Sequence, residues 1–181
     1  FNGAECEPYI TCDDLLMRER AADIVAGARI LMHTLSAPEC LIAIEDNKPE
    51  AAVAMRAAIT AADAANIVVV VIPSIYPTGG EKQLIKVITG REVPPQGLPA
   101  DVGVVCHNPG TAAAIHRALS RGEPLISRIL TVTGDGVAQP GNLDVRIGTP
   151  IADIIAAAGG YTSKAQRLLM AVNEMAAHYG H

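Results

Sequence analysis

Three short polar stretches of the chain carry residue types that bind or transform small molecules. They are NGAECEP at residues 2–8, YPTGGEK at 76–82 and HNPGT at 107–111. The second and third stretches each follow an apolar run suited to a β-strand, and the first opens the chain. In an open parallel α/β sheet, ligands bind outside the carboxyl ends of the strands. We therefore expect the three stretches to converge on one crevice.

The first stretch offers two carboxylates, Glu5 and Glu7, on either side of Cys6. Alternate residues of an extended backbone point to the same side, so the two carboxylates would face one way. They are either a catalytic carboxylate pair or part of a solvated acidic loop. The loop requires no ligand and is the simpler interpretation of these residues.

The second stretch places Gly79 and Gly80 directly before Glu81 and Lys82. Glycine lets a backbone approach a ligand closely, and a carboxylate in the first turn of a helix complements the helix dipole. The sequence contains no phosphate-binding loop of the GxxxxGKS or GxxxxGKT type, and the Glu81 carboxylate would repel a phosphate. The stretch therefore predicts either a plain helix start or one wall of a pocket, rather than a phosphate cradle.

The third stretch holds Asn108 and Thr111, which can cap a helix or hydrogen-bond to the edge of a planar heterocycle. Capping is the simpler role. His107 beside them is more typical of a surface residue than of a base, and Glu45 and Asp46 fit the start of a helix after the first strand. No Ser/His/Asp or Cys/His set lies in a nucleophile-elbow context, so we predict no catalytic residue.

The composition describes an aliphatic, mildly acidic chain. Of its 181 residues 50% are hydrophobic, yet it has four Tyr, one Phe and no Trp, and its formal charge is −5. No cluster of Lys or Arg stands out, which argues against nucleic acid as a partner. The four cysteines lack CxxC spacing, which favours reduced thiols in a cytoplasmic protein and predicts no metal site. The longest strictly aliphatic run, Ile67–Ile72, is too short to cross a bilayer.

Hydrophobic periodicity predicts alternating helices and strands over the larger part of the chain. The expected helices are Asp13–Leu35, a helix capped by Asn47 that runs to about Ala65, Gly80–Ile88 and Thr111–Ser120. The expected strands are Leu41–Ile44, Ile67–Ile72 and Val102–Cys106, with a rigid proline-rich connection at Thr89–Ala100. Strands that alternate with helices predict an α/β fold with a parallel sheet.

After these elements the pattern changes. The expected elements are strands at Ile129–Val132 and Leu143–Ile147, a turn at Gly134–Gly136 and a helix capped by Thr149 that ends at Gly159–Gly160. A hairpin with one packed helix would form a small α+β unit of roughly 35 residues. The last stretch, Ser163–Tyr179, is compatible with a helix.

Several motifs, in this order, resemble the C subunit of the Rnf electron-transport complex. They are NGAECEPYITCDD (2–14), IEDNKPEA (44–51), YPTGGEKQLI (76–85), GLPADVGVV (97–105), GTAAAI (110–115) and the block from RILTVTGDGVAQPGN to IGTP (128–150). The resemblance covers about residues 2–160. A more distant likeness is to the NADH-oxidising, flavin-bearing subunit of respiratory complex I, which shares the Asn-x-x-Glu and Gly-Glu-x loops.

The resemblance implies a Rossmann-like three-layer domain with a parallel sheet over residues 1–126, which binds FMN and accepts a hydride from NADH. A small β-grasp module of the soluble-ligand-binding type would follow at 127–160, and a helical tail at 161–181. The cofactor-binding residues that the resemblance implies are Asn2, Glu5, Gly79, Gly80, Glu81, Asn108 and Thr111. The Asn-x-x-Glu loop would lie near the flavin, and the Gly-Glu element where the nicotinamide stacks.

The chain also departs from the family pattern. In the family a glycine-rich flavin-phosphate loop precedes the position of Asn2, and cysteine motifs for two 4Fe–4S clusters follow the β-grasp module, so we expect this chain to be a fragment. Ala4 and Lys82 stand where the complex I relative has Asp and a second Glu, and Pro109 replaces the usual Val. After Met170 the sequence diverges. Whether this chain alone holds FMN stays open at this point.

The implied function is that of a peripheral subunit of a membrane-bound, ion-translocating NADH:ferredoxin oxidoreductase. Such a subunit takes a hydride from NADH onto FMN and passes electrons to iron–sulfur clusters. The membrane and iron–sulfur subunits of the Rnf complex would hold it on the cytoplasmic face of the bacterial inner membrane. Two alternatives stay open: a cobalamin-reductase-type flavoprotein of bacterial microcompartments, and a non-catalytic docking scaffold.

Overall fold

The computed structural model describes residues 1–5 and 7–170, which form two compact units. Of these residues, the first unit takes 1–5 and 13–125, and the second takes 7–12 and 126–170. The short segment 7–12 therefore packs with the second unit, although the chain on both sides of it belongs to the first.

The described residues up to 125 contain five α-helices, two strands and one turn of 3₁₀ helix. The helices are α1 (Cys12–Glu19), α2 (Ala21–Leu35), α3 (Pro49–Ala61), α4 (Glu81–Thr89) and α5 (Pro109–Arg121). The strands are β1 (Cys40–Glu45) and β2 (Ile67–Ile72), and the 3₁₀ turn is Pro99–Val102.

Strands β1 and β2 form a parallel pair in which Ile42 lies opposite Val69. Both strands are mainly aliphatic, and α3 makes the crossover between them that a parallel connection requires. The chain start extends this sheet, because Asn2 forms a parallel bridge to Ala43 and the Ala43 amide donates to the Phe1 carbonyl at 2.9 Å. The order in space is therefore residues 1–3, β1, β2.

The core of the first unit consists of aliphatic side chains and methionine. Its large side chains with 0% exposure include Met17, Ile24, Ile42, Ile44 and Met55. Burying one such side chain contributes about 1.5–3 kcal/mol. These contacts hold the helices on the sheet and so fix the loops at the strand ends.

The second unit is built on an antiparallel hairpin of β3 (Ser127–Val132) and β4 (Gly141–Arg146), followed by α6 (Ile151–Ala157). Leu130 lies opposite Leu143. Both side chains pack against a small core made of Val132, Ile155 and Ala158. A short helix laid on one face of a hairpin is thus sufficient to bury the apolar side of both strands.

The segment 7–12 is bound to this hairpin by polar contacts. The Thr11 amide donates to Thr131 Oγ1 at 3.1 Å. The Asn142 side-chain amide donates to the Thr11 carbonyl at 3.3 Å and to Thr11 Oγ1 at 3.0 Å. We call Thr11, Thr131 and Asn142 the clasp.

The α/β character and the parallel sheet expected from the sequence are confirmed, and β1 and β2 match their predicted positions. The helix predicted at Asp13–Leu35 is confirmed as helical structure but is two helices, α1 and α2. It breaks at Arg20, whose φ of −126° and ψ of 31° are not helical. The apolar stripe continues from Met17 to Ala21 across the break, so periodicity alone does not show it. Helix α3 is capped by Lys48 instead of Asn47 and ends at Ala61.

The strand predicted at Val102–Cys106 is also wrong. Residues 99–102 form the 3₁₀ turn, and residues 104–108 join no regular ladder. A strand exists only with a partner, and an apolar run does not say what lies beside it. The predicted start of α4 at Gly80 is confirmed, since Gly80 is its N-cap.

The hairpin and helix predicted for the second unit are confirmed, although the N-cap of α6 is Pro150 instead of Thr149. The predicted helical tail is wrong for residues 161–170, which form a bridge at Tyr161 and a turn; the rest of the predicted tail lies outside the described residues. Over residues 1–5 and 7–170, no helix is both long and apolar enough to cross a membrane.

Candidate functional site

Asn2 joins the three polar stretches of the sequence. Its side-chain amide donates to the Gly79 carbonyl at 2.7 Å, and its backbone amide donates to the His107 carbonyl at 2.8 Å. Its side-chain oxygen accepts a hydrogen bond from the Ala4 amide at 3.1 Å. The structure therefore brings the start of the first stretch, at Asn2, together with Gly79 of the second stretch and His107 of the third.

Small residues make this close meeting possible. A Cβ on Gly3 would lie 2.7 Å from the Ala43 carbonyl oxygen and 2.9 Å from the Met17 sulfur. Gly79 and Gly80 are both buried, and Gly80 holds an extended backbone with φ of −63° and ψ of 134° as it starts α4. The loops can thus pack backbone against backbone.

Glu5 is buried and fully engaged with the protein. Its side chain is only 3% exposed. The carboxylate accepts from the Asp13 amide at 2.8 Å, from the Asp14 amide at 3.3 Å and from Lys48 Nζ at 3.2 Å. It therefore caps the start of α1 and forms a buried ion pair with Lys48.

Glu5 and Glu7 fall in different units. Glu5 belongs to the first unit, whereas Glu7 belongs to the second and is partly exposed. Residues 7–9 turn, and Tyr9 has a φ of 68°. The solvated loop predicted for the two residues does not describe Glu5, whose side chain is 3% exposed, and the predicted carboxylate pair stays a prediction.

Asn108 caps α5, as the sequence predicts. Its side-chain oxygen accepts from the Gly110 amide at 2.8 Å, and its side-chain nitrogen donates to Asp13 Oδ2. The cap thereby ties the start of α5 to the start of α1. Thr111 lies in the first turn of α5 and is partly buried, and its amide donates to the Asn108 carbonyl at 2.9 Å.

Glu45 is an acidic residue of this region that the sequence treated only as part of a helix cap. It is 8% exposed, and its Oε2 accepts from the Glu5 amide at 3.4 Å. Burial raises the pKa of the Glu45 carboxyl, although the Glu5 amide and the charge of Lys48 act in the opposite direction. Its place at the carboxyl end of β1 is the signal that could have identified it.

The neighbouring acidic groups differ from Glu45 in their surroundings. Hydrogen bonds from the Ser74 hydroxyl and amide lower the pKa of Asp46.

The Cys106 thiol lies in the segment that leads to His107. Burial, with the negative charge of Glu81, raises the pKa of this thiol.

Lys82 does not accompany Glu81 at the meeting point of the loops. Its Nζ donates to the Pro94 and Pro95 carbonyls, at 2.9 Å each. The lysine therefore holds the proline-rich connection, and Glu81 lies in the first turn of α4, where a negative charge complements the helix dipole. In the described part of the chain, no group of three or more His, Cys, Asp or Glu side chains could hold a metal ion.

Comparison with known proteins identifies the class to which these features belong. The family of the Nuo51 FMN-binding domain matches residues 1–117, and the SLBB domain matches residues 129–175. The first match covers more than half of the chain. The chain therefore belongs to the Nuo51 FMN-binding domain family.

The individual relatives share one name, because each is the C subunit of an ion-translocating oxidoreductase complex. The relative from Pseudomonas aeruginosa is 50% identical over 169 residues, which is 93% of this chain and 21% of the relative. The Rhodobacter capsulatus protein is 51% identical over 170 residues, which is 94% of this chain and 33% of the relative. The resemblance read from the motifs is confirmed, and the chain spans about a fifth to a third of these relatives.

Proposed function

We propose that this chain is the flavin-binding part of a peripheral subunit of an ion-translocating NADH:ferredoxin oxidoreductase. The observation that carries the proposal is the position of Asn2, which hydrogen-bonds to Gly79 and His107 and so assembles three loops at one edge of the sheet. The membership in an FMN-binding family and the name of the relatives support it.

The residues at this edge fit the ring end of FMN. Gly79 and Gly80 allow the backbone to approach a flat ring without a side chain in the way. Bound FMN supplies a ring that accepts two electrons as a hydride and releases them one at a time. The chain supplies the walls of the proposed site. Asn2 fixes the distance between the loops, and Glu81 would lie on the side where NADH binds.

Within this arrangement Glu5 and Asn108 hold the loops. Because the Glu5 carboxylate is occupied by two amides and Lys48, we assign it to positioning the loop of Asn2. Asn108 connects the start of α5 to Asp13 and so holds the third loop in place. Thr111 lies in the first turn of α5, next to that loop. The cofactor contacts themselves fall to Gly79, Gly80, Glu81 and the Asn2 loop.

The phosphate end of FMN needs other groups. Among the described residues of this region, Lys48 is already ion-paired with Glu5, and the Glu45 and Glu81 carboxylates repel a phosphate dianion. We therefore propose that the phosphate is bound by a part of the full-length protein outside this chain. The same applies to the two 4Fe–4S clusters that carry electrons onward.

The finer architecture follows the same proposal. The α/β part would be a Rossmann-like FMN- and NADH-binding domain over residues 1–126, and the hairpin with α6 a β-grasp soluble-ligand-binding module over 127–160. The SLBB match at residues 129–175 supports the second assignment. The full-length protein would sit on the cytoplasmic face of the membrane, held by the membrane and iron–sulfur subunits of its complex.

The decisive experiment uses the full-length protein. We expect it to purify with one FMN whose visible absorption is bleached by NADH under anaerobic conditions. A colourless protein that binds no FMN and does not react with NADH would overturn the proposal and favour a docking scaffold. Reduction of cob(III)alamin faster than of ferredoxin would instead point to a cobalamin reductase.

A further inference from the structure

Three buried charged residues meet beside the loop of Asn2: Glu5, Glu45 and Lys48. The side chains of Glu5 and Lys48 are 3% and 15% exposed, and residue Glu45 is 8% exposed. Lys48 Nζ lies 3.2 Å from Glu5 Oε2, and the Glu5 amide donates to Glu45 Oε2 at 3.4 Å. We call these three residues the triad.

The charges of the triad do not balance, because two carboxylates share one ammonium group. The ammonium pairs with Glu5, which also accepts from the amides of Asp13 and Asp14. For Glu45, the described part of the chain provides one hydrogen bond, the long one from the Glu5 amide. A buried charge without a close partner is costly, and a carboxyl group avoids that cost by binding a proton.

The surroundings of Glu45 favour its protonated form. Burial, the largest influence, raises the pKa of the Glu45 carboxyl. The Glu5 amide and the Lys48 charge lower this pKa, and the Glu5 and Asp46 charges raise it. Asp46 is exposed, so water and salt screen its charge, whereas the other two charges act inside the protein. A carboxyl group in such surroundings responds to any further charge that is placed near it.

A short stretch of chain connects Glu45 to the proposed cofactor site. Asn2, which joins the polar loops, lies three residues before Glu5, whose amide contacts Glu45. The Gly3 amide between them donates to the Ala43 carbonyl at 3.0 Å and so fixes this stretch against β1. A charge added at the loop of Asn2 would therefore act on Glu45 through protein, where it is screened less than in water.

We propose that Glu45 is the proton-binding group of this site, which takes up a proton from solvent when negative charge is added at the loop of Asn2. The inference rests on the proposed function, since transfer of a hydride from NADH to bound FMN adds such a charge. The hydride carries two electrons and one proton to the flavin and leaves NAD⁺. The Glu45 carboxylate and one solvent proton then form a carboxylic acid, which returns the proton to solvent when the electrons leave for the iron–sulfur clusters.

Infrared difference spectroscopy of the FMN-loaded full-length protein tests the proton uptake directly. The spectrum after electrochemical reduction, minus the spectrum before it, should contain the carbonyl band of a newly protonated carboxylic acid, which shifts in D₂O. Glu45→Gln should remove this band. The matched control Asp46→Asn, which removes the neighbouring exposed carboxyl, should keep it. A band that is absent from the parent protein, survives in Glu45→Gln or disappears in Asp46→Asn would overturn the proposal.

A second measurement needs no cofactor and so separates this inference from the proposed function. Carbon-13 NMR titration of the FMN-free full-length protein, with the Glu45 signal assigned by its loss in Glu45→Gln, should give a midpoint above the ordinary glutamate value of about 4.3. Lys48→Met should raise the midpoint and Glu5→Gln should lower it, each by at least about half a pH unit. Lys86→Met, which breaks an exposed pair, should leave it unchanged.

The midpoint of the parent protein decides the matter even if neither variant of the triad folds. A parent midpoint at or below the ordinary glutamate value, or folded Lys48→Met and Glu5→Gln proteins with the parent midpoint, would overturn the proposal. A full-length protein that binds no FMN but shows the raised midpoint and both shifts would support the triad as a proton site and contradict the proposed function.

Discussion

The buried ion pair between Glu5 and Lys48 is the residue-scale feature on which the site geometry depends most. The two side chains are 3% and 15% exposed, so loss of one partner leaves the other charge poorly solvated. Breaking such a pair costs about 3–5 kcal/mol. The pair also holds the loop of Asn2, because Glu5 accepts the first amides of α1.

We expect Lys48→Met to lower the free energy of unfolding by about 3 kcal/mol, as measured by urea denaturation. The matched control is Lys86→Met, which breaks the exposed pair with Glu92 (53% and 80% exposed) and should cost less than about 1 kcal/mol. Adding Glu5→Gln to Lys48→Met should recover part of the loss. Equal losses for the two lysine variants would contradict the role of the buried pair.

Glu45 and Asp46 should make stability respond to pH in opposite directions. Burial raises the folded-state pKa of Glu45, so its stabilising effect is complete below the unfolded pKa and is lost as the pH rises through the folded pKa. The Ser74 hydrogen bonds lower the pKa of Asp46, so its effect is present above the unfolded pKa and is lost as the pH falls.

The test compares melting temperatures between about pH 4 and about pH 7, the range over which carboxyl groups titrate. Relative to the parent chain, Glu45→Gln should gain stability as the pH rises, and Asp46→Asn should lose it. If both variants follow the pH dependence of the parent, neither carboxyl has the surroundings described here.

Asn2 has the clearest expected effect on the proposed cofactor site. Its side chain makes two hydrogen bonds, to Gly79 and from Ala4, each of which contributes about 1 kcal/mol. Asn2→Ala in the full-length protein should therefore weaken FMN binding by about 10- to 30-fold, as measured by flavin titration. Asn142→Ala, which removes an asparagine of the second unit, is the control and should leave FMN affinity unchanged.

At the scale of elements, the packing of α2 on α5 depends on Gly27. A Cβ at this position would lie 1.8 Å from the Ala112 carbonyl oxygen, so the helices would have to separate. An alanine normally favours a helix by about 1 kcal/mol over glycine, and here we expect the reverse, a loss of about 1–3 kcal/mol from overpacking.

Gly27→Ala should accordingly lower the melting temperature of the first unit by about 2–10 °C, as measured by calorimetry. Gly141→Ala is the matched control, because a Cβ there meets nothing within 4 Å. A stabilised Gly27→Ala protein would mean that α2 and α5 adjust freely to an added methyl group.

The elements also show what the sequence could and could not predict. Strands β1 and β2 and the N-caps Gly80 and Asn108 follow from local signals, namely aliphatic runs and capping residues. The break at Arg20 and the missing ladder at residues 104–108 depend on tertiary surroundings that periodicity does not encode. The same holds in the site: one polar stretch at the chain start and two that follow apolar runs predicted that Asn2, Gly79 and His107 lie together, but the engagement of Glu5 by Lys48 required the fold.

At the scale of the whole molecule, the chain passes from one unit to the other three times, because residues 7–12 belong to the second unit and their neighbours to the first. The chain thus leaves the first unit after Glu5 and returns at Asp13, whose backbone amide donates to the Glu5 carboxylate at 2.8 Å. The clasp of Thr11, Thr131 and Asn142 fixes the segment on the hairpin. The conformation of residues 7–12 is therefore set within the second unit.

Opening the clasp should loosen this segment without unfolding either unit. Asn142→Ala removes the hydrogen bonds from its side chain to Thr11 and from the Thr131 hydroxyl, which together contribute about 1–3 kcal/mol. The Thr11 amide should then exchange at least fivefold faster in a hydrogen-exchange measurement, while amides of β1 and β2 keep their rates. Acceleration of β1 and β2 to the same extent would mean that the clasp supports the whole fold, and unchanged exchange at Thr11 would mean that the segment is held by its backbone alone.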